Sequence, residues 1–261
     1  MQEIIPQHEH GSSWRADFPH SPIAQNPIGL ERSGYATTKF VGDILAALIL
    51  LAMTLPLIIL AAIAVKMTSR GPVIYSQTRL GRRGKLFVIY KLRTMTHNCE
   101  HVTGPQWCVP GDSRVTWIGR FLRNTHIDEL PQLWNVLRGD MSLVGPRPER
   151  PEFAHALEKV LPLYADRLEV RPGITGLAQV QLLPDSDVAS VRRKLAHDLY
   201  YIRTMSSWLD LRLLLATSLA VILVPSRFTC ALLALPGGER VEQEYEQHPA
   251  VIQINIEPEM A

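Results

Sequence analysis

The stretch ILAALILLAMTLPLIILAAIAV, residues 44–65, is apolar except for Thr54, with Lys39 before it and Lys66 and Arg70 after it. Its length matches the roughly 20 apolar residues that cross a bilayer. A cleaved signal peptide does not fit: the run is too long and lies too far from Met1, although Ala62-Ile63-Ala64 imitates a cleavage site. Two readings remain. One is a straight transmembrane helix. The other is a helix–break–helix that enters one leaflet and returns, with Thr54-Leu55-Pro56 at its midpoint, where Pro56 removes a backbone hydrogen bond and kinks the helix. Proline is tolerated in spanning helices too. Cations on both flanks suit two ends resting on the same anionic, cytoplasmic leaflet, so residues 37–67 are expected to be re-entrant.

The remainder of the 261 residues can bury one substantial domain or two small ones. A net charge of +2 provides no global field for nucleic acid. Charge is local instead: Arg79, Arg82, Arg83, Lys85, Lys91 and Arg93 crowd one short stretch. Three cysteines make no disulfide framework and suit a reducing compartment. His97, Cys99, His101 and Cys108 contain no C-x-x-C and match no standard zinc spacing, so no metal is expected there. Residues 1–36, rich in Pro, His, Ser and Gly, read as a loose N-terminal tail. Residues 227–261 are expected as a C-terminal tail, which leaves 68–226 as the folded domain.

Within that domain, Val73 to Gln77 and Leu86 to Leu92 are rich in β-branched and aromatic residues, with a turn at Gly81 to Gly84; this is a hairpin signal. Lys91 and Arg93 share one face of its second strand by the period of two, which taken alone is a solvated or lipid-headgroup face. In HIDELPQLWNVLRGD, residues 126–140, Leu130, Leu133, Trp134 and Leu137 fall at i, i+3, i+4 and i+7, the face of an amphipathic helix. Pro131 belongs in its first turn and Gly139 just past its end, so a helix is expected from Asp128 to about Arg138. Asp128 and Glu129 then sit at its positive end, which would keep Asp128 ionised and attract phosphate. Taken alone, such acids are helix caps. Further along, Pro146 and Pro148 stiffen the backbone on either side of Arg147, which suits a fixed phosphate contact or a rigid surface loop. RPGITGLAQV, 171–180, is a Pro-Gly turn entering a strand, and Val191 to Arg203 reads as a polar helix. Leu213 to Val224 is too short to span a bilayer and belongs at the interface or in the core, with Trp208 as an interfacial anchor.

Taken together and in order, Lys39 and Asp43 before the Pro-containing apolar segment, GPVIYSQTRLGRRGKLFVIYKLRTM, Thr116/Gly119/Arg123, DELPQLWNVLRGDMSLVGPRPE and RPGITGLAQV resemble the bacterial sugar transferase family, monotopic polyprenyl-phosphate phosphoglycosyltransferases. The likeness covers Lys39 to Val224. It implies a small α/β domain held on the cytoplasmic face of the inner membrane by a re-entrant helix. It also implies transfer of a sugar-1-phosphate from a nucleotide sugar, usually a UDP-sugar, to undecaprenyl phosphate at the start of exopolysaccharide, capsule, O-antigen or glycan assembly. By the same resemblance Asp128 is the nucleophile and a ligand of magnesium, Glu129 completes the dyad, and Arg123 and Arg147 contact phosphate, with Lys91 and Arg93 beside them. Membrane lipids are further partners, and a homodimer is left open.

The chemistry suits these residue types: attack on a diphosphate brings anion to anion, and a divalent cation with arginines offsets the repulsion. Two departures stand out. Thr54-Leu55 replaces the usual serine directly before the proline, leaving Pro56 and the Thr54 hydroxyl to carry the break, and Leu177 stands where a tryptophan commonly follows RPGITG. The chain is otherwise expected to resemble the minimal members, which lack the upstream spans of larger ones. The competing functional readings are a lipid-pyrophosphate hydrolase and a catalytically inactive membrane scaffold.

Overall fold

A computed structural model of the protein describes residues 33–99, 111–184, 187–221 and 224–256. It is mixed and mostly helical. The N-terminal tail up to residue 32, together with His101 and Cys108, lies outside the described residues.

The apolar stretch lies in α1 (Ser33–Thr68), a helix of 36 residues and about 54 Å at 1.5 Å per residue. It stays helical through Pro56. There the ring deprives the Ala52 carbonyl of its usual donor, and two residues earlier Thr54 Oγ1 donates to the Leu50 carbonyl at 2.7 Å, a local bond that bends helices. The interruption expected at Pro56 is thus an altered hydrogen-bond pattern within one helix.

Both ends of α1 pack on the same domain. At the first end, Lys39 Nζ lies 2.7 Å from Asp210 Oδ2, Tyr35 OH donates to the same oxygen at 3.0 Å, Ser142 Oγ donates to Asp43 Oδ2 at 2.6 Å, and the Arg171 guanidinium covers the Phe40 ring at 4.3 Å. At the other end, Ala61 and Val65 bury themselves against Leu92 and Leu122. Between Ala47 and Ala61 no residue is buried, and Leu48, Ile49, Met53, Leu55, Ile59 and Leu60 are open over about 20 Å of helix.

Strands β1 (Ile74–Leu80) and β2 (Leu86–Leu92) form the expected antiparallel hairpin, with Ile74 opposite Leu92 and Leu80 opposite Leu86. The turn between them places Arg83 and Gly84 in the left-handed region, at φ 55° and 70°. Helix α2 (Trp117–Asn124) follows, its start capped by Thr116, whose hydroxyl accepts from the Gly119 amide. The expected helix from Asp128 begins instead as a 3₁₀ turn, Ile127–Gln132, and becomes the short α3 (Leu133–Leu137). Gly139 terminates it in the left-handed region at φ 77°, as expected. Trp134, placed on the buried face by its spacing, is 52% exposed. The tight 3₁₀ turn shifts the buried face to Gln132, Leu133, Asn135 and Val136.

Strand β3 (Ser142–Val144) pairs in parallel with β4 (Gly173–Thr175), joining the two proline-glycine motifs. Between them lies α4 (Pro151–Val160), and after β4 comes α5 (Leu177–Gln181). The segment read as a polar helix is α6 (Val188–Thr204), which buries Leu195, Ala196, Leu199, Tyr201 and Ile202 and forms the centre of the core. Helix α7 (Ser207–Val221) is two-sided: Leu209, Asp210, Leu213 and Ala216 are buried, while Trp208, Leu211 and Leu215 are exposed.

The segment expected as a tail from residue 227 is helical: α8 (Ser226–Leu232), α9 (Gly238–Glu246) and α10 (Pro249–Ile256). Val241, Tyr245 and Val251 are buried in the main core, and Tyr245 OH donates to the Pro162 carbonyl at 3.0 Å. The polar surface of α9 gave that stretch its tail-like composition.

Candidate active site

The acidic pair is presented by three neighbours. His126 takes a left-handed conformation (φ 56°) that turns the chain out of α2 and into the 3₁₀ turn. Asn135 docks that turn on β2: its Oδ1 accepts from the Tyr90 amide at 3.2 Å and its Nδ2 donates to the Val88 carbonyl at 2.7 Å, as a neighbouring strand would. Because β2 is held alongside, Lys91 meets Glu129.

Glu129 Oε1 lies 2.6 Å from Lys91 Nζ and 2.8 Å from Arg147 Nη2. Burial alone would raise the Glu129 carboxyl, but the Arg147 and Lys91 charges outweigh it and hold the group well below its ordinary value. Burial lowers the Lys91 ammonium, with Glu129 opposing.

Asp128 differs. It is 6% exposed, and its Oδ1 is buried without a hydrogen-bond partner among the described residues. It therefore does not cap the turn with that oxygen. Burial, and then the Glu129 charge, push its carboxyl up to about 6, against the opposing charges of Lys91, Arg123 and Arg147. The expected helix-end field plays little part, because the α-helical portion is only Leu133–Leu137, too short for a developed dipole. At neutral pH the group is still mostly ionised, poised close to the operating range.

Arg123 comes from α2, with its Nε donating to Thr94 Oγ1 at 2.8 Å and its charge felt at Asp128. Arg147 sits in a braced loop. Arg79 Nη1 donates to the Pro148 carbonyl at 3.1 Å, and Arg167 Nη2 donates to the Arg147 carbonyl at 3.0 Å. Arg167 is itself buried, 2.7 Å from Asp198 Oδ2 and within hydrogen-bond distance of Tyr164 OH. Gly145 and Gly173 cross so closely that a Cβ at Gly145 would lie 2.6 Å from the Arg171 carbonyl, which requires glycine there.

Of the residues singled out in the sequence, Asp128, Glu129, Lys91, Arg123 and Arg147 come together. Arg93 does not join the acidic pair: it turns to the end of α1, where its Nη2 donates to the Ser69 carbonyl and hydroxyl at 2.9 and 2.8 Å. Asn135, Arg167 and Asp198 were missed. Arg167 and Asp198 lie in no motif and meet across 31 positions, so only the fold reveals them. Among the described residues no group of three or more His, Cys, Asp or Glu side chains is arranged to hold a metal.

A buried carboxylate with an unpartnered oxygen beside a cationic rim, on a domain carrying a helix long and apolar enough to cross a membrane, is an arrangement suited to receiving an anion. The family model described as bacterial sugar transferase matches residues 34–224, and the chain belongs to that family. It is 44% identical over 197 residues to a UDP-N-acetylgalactosamine-undecaprenyl-phosphate N-acetylgalactosaminephosphotransferase of Aeromonas hydrophila, covering 75% of this chain and 46% of that protein. It is 46% identical over 202 residues to a UDP-glucose:undecaprenyl-phosphate glucose-1-phosphate transferase of Caulobacter vibrioides, covering 77% and 73%. An exopolysaccharide production protein of Rhizobium leguminosarum is 40% identical over 186 residues, 67% of this chain and 90% of its own length. The match to the Aeromonas protein thus spans about half of that relative.

Proposed function

We propose that this protein transfers a sugar-1-phosphate from a UDP-sugar to undecaprenyl phosphate at the cytoplasmic face of the inner membrane, through a covalent intermediate on Asp128. The observation that carries this reading is the buried, unpartnered Asp128 Oδ1 beside a rim of Lys91, Arg123 and Arg147. The relatives' names supply the substrate classes.

In the first displacement an Asp128 oxygen attacks the phosphorus bonded to the sugar, forming an acyl-phosphate bond and breaking the bond to UMP, which leaves with the electron pair. In the second, an oxygen of the lipid phosphate attacks the same phosphorus, the acyl-phosphate bond breaks, and the Asp128 carboxylate is restored. Arg123 and Arg147 offset the charge that gathers as anion meets anion. Glu129 keeps Lys91 and Arg147 in place, since both bond to one of its oxygens.

The donor set fits magnesium: a cation that takes one or two carboxylates and completes its shell with substrate phosphates needs only Asp128 from the protein. When bound, magnesium supplies charge neutralisation at the diphosphate.

The re-entrant course of α1 is supported by its contacts. Its two ends pack on one domain, through Lys39–Asp210 and Asp43–Ser142 at one end and Ala61 and Val65 at the other. A straight span would put one of those ends on the far side of the bilayer, away from the domain on which both pack. The bare stretch from Leu48 to Leu60 is the part left for lipid.

Membranes carrying the protein, mixed with a UDP-sugar and undecaprenyl phosphate, test the proposal. Lipid-linked sugar with UMP release is the expected result. Free sugar phosphate would indicate a hydrolase, and no turnover across UDP-sugars would indicate a scaffold; either contradicts the transferase.

A further inference from the structure

Arg93 is the candidate phosphate-binding residue that the acidic pair does not use, and its surroundings are unusual. It is 5% exposed, yet no carboxylate lies within ion-pair distance among the described residues. One nitrogen, Nη2, donates to Ser69. Nε and Nη1 are buried with no hydrogen-bond partner among the described residues. A buried guanidinium without a counter-charge is costly, and native structures retain such a group where an anion meets it.

Its location narrows the anion. Arg93 closes the end of α1 where the apolar helix leaves the membrane region, next to Gly71 and His97. Lys66, in the last turn of α1, reaches the Gly71 carbonyl at 3.5 Å. On the other side, the next residue, Thr94, holds Arg123, whose charge reaches Asp128. Arg93 therefore lies where α1 ends, one residue from the threonine that holds Arg123. A soluble nucleotide sugar approaches from water, whereas a phosphate attached to a lipid stays at headgroup depth. We infer that Arg93, with Ser69, forms a subsite for the phosphate monoester of the lipid acceptor, separate from the Glu129-centred rim that meets the donor. The inference rests on the transferase reading.

The two half-reactions separate this role from a donor or folding role. Wild type and Arg93→Gln are compared in nanodiscs of neutral phospholipid. UMP release on adding UDP-glucose or UDP-N-acetylgalactosamine, whichever wild type uses, is measured without acceptor. Steady-state turnover is then measured against the mole fraction of undecaprenyl phosphate. The UMP burst should stay within twofold of wild type, while the apparent KM for undecaprenyl phosphate should rise at least tenfold. Arg93→Lys, which keeps charge without the fork, should fall between the two.

Ser69→Ala removes the hydroxyl that accepts from Arg93 Nη2 and should raise the acceptor KM in the same direction without changing charge. A burst that falls in parallel with turnover would assign Arg93 to the donor or to folding and overturn the subsite. An unchanged acceptor KM would overturn it as well. A wild-type protein that gives neither burst nor lipid-linked product would instead remove the transferase reading, and this inference with it.

Discussion

Asp128→Asn separates the two roles open to a carboxylate at a helical turn, because Asn caps about as well as Asp but carries no charge. The structure sets the scale of the stability effect. Burial moves the Asp128 carboxyl from 3.8 to about 6, and at roughly 1.36 kcal/mol per pH unit the ionised group costs the fold about 3 kcal/mol. The sign follows from linkage. A carboxyl raised in the folded state binds its proton more tightly there, so its cost is absent below pH 3.8, grows between 3.8 and about 6, and is full above that. The Asn variant should therefore match wild type near pH 4 and exceed it at pH 8, by up to roughly 5–10 °C in Tm for a chain of this size. Over the same pH range its turnover should fall on the order of 10³-fold or more, since the amide cannot attack phosphorus. Thermal melts at pH 4 and pH 8, paired with UMP release at pH 8, make the comparison. A variant less stable than wild type at pH 8 would mean that the carboxylate serves as a structural partner. Retained turnover would refute the nucleophile.

In the metal-free protein the Asp128 carboxyl should titrate near 6, read from its side-chain carboxyl signal, and a midpoint well below the ordinary carboxylate range would contradict the burial assigned to it. Arg123→Lys and Arg147→Lys keep charge but lose the planar fork, and each should lower turnover roughly 10–100-fold with the fold intact; near-wild-type rates in both would return them to surface roles. Asp198→Ala strands the buried Arg167 and should cost about 3–5 kcal/mol, read as a lower denaturant midpoint, with the Arg147 loop loosened. Ala36→Cys and Met67→Cys should both be shielded from an impermeant thiol reagent added outside intact cells; labelling at Ala36→Cys alone would mean a true span.

What the sequence discloses depends on how local its physics is. The hairpin was readable because its β-branched alternation and the Gly81–Gly84 turn act within a few residues of one another. The five residues of the charged rim were readable as members of motifs, although their meeting is long-range: Lys91 reaches Glu129 across 38 positions. Trp134 was misplaced because a helical period was applied to a segment that starts as a 3₁₀ turn, where the angular step differs. Arg93 shared a face with Lys91 by the period of two, but the strand ends at Leu92, and beyond it the side chain is free to follow α1. Asp210 stands alone as an acid in the largely apolar α7, and only the folded chain reveals that Tyr35, Lys39 and Tyr201 meet on it. Polar residues buried by such distant partners leave no periodic trace.

The central claim is that the phosphosugar passes through Asp128. Incubating the protein with magnesium and a UDP-sugar labelled in the sugar, in the absence of lipid acceptor, tests it most directly. The account predicts stoichiometric UMP release, with label bound to the protein, lost on treatment with hydroxylamine and mapped to the peptide containing Asp128. Label on a different residue, or turnover with undecaprenyl phosphate in the absence of any protein-bound label, would contradict it.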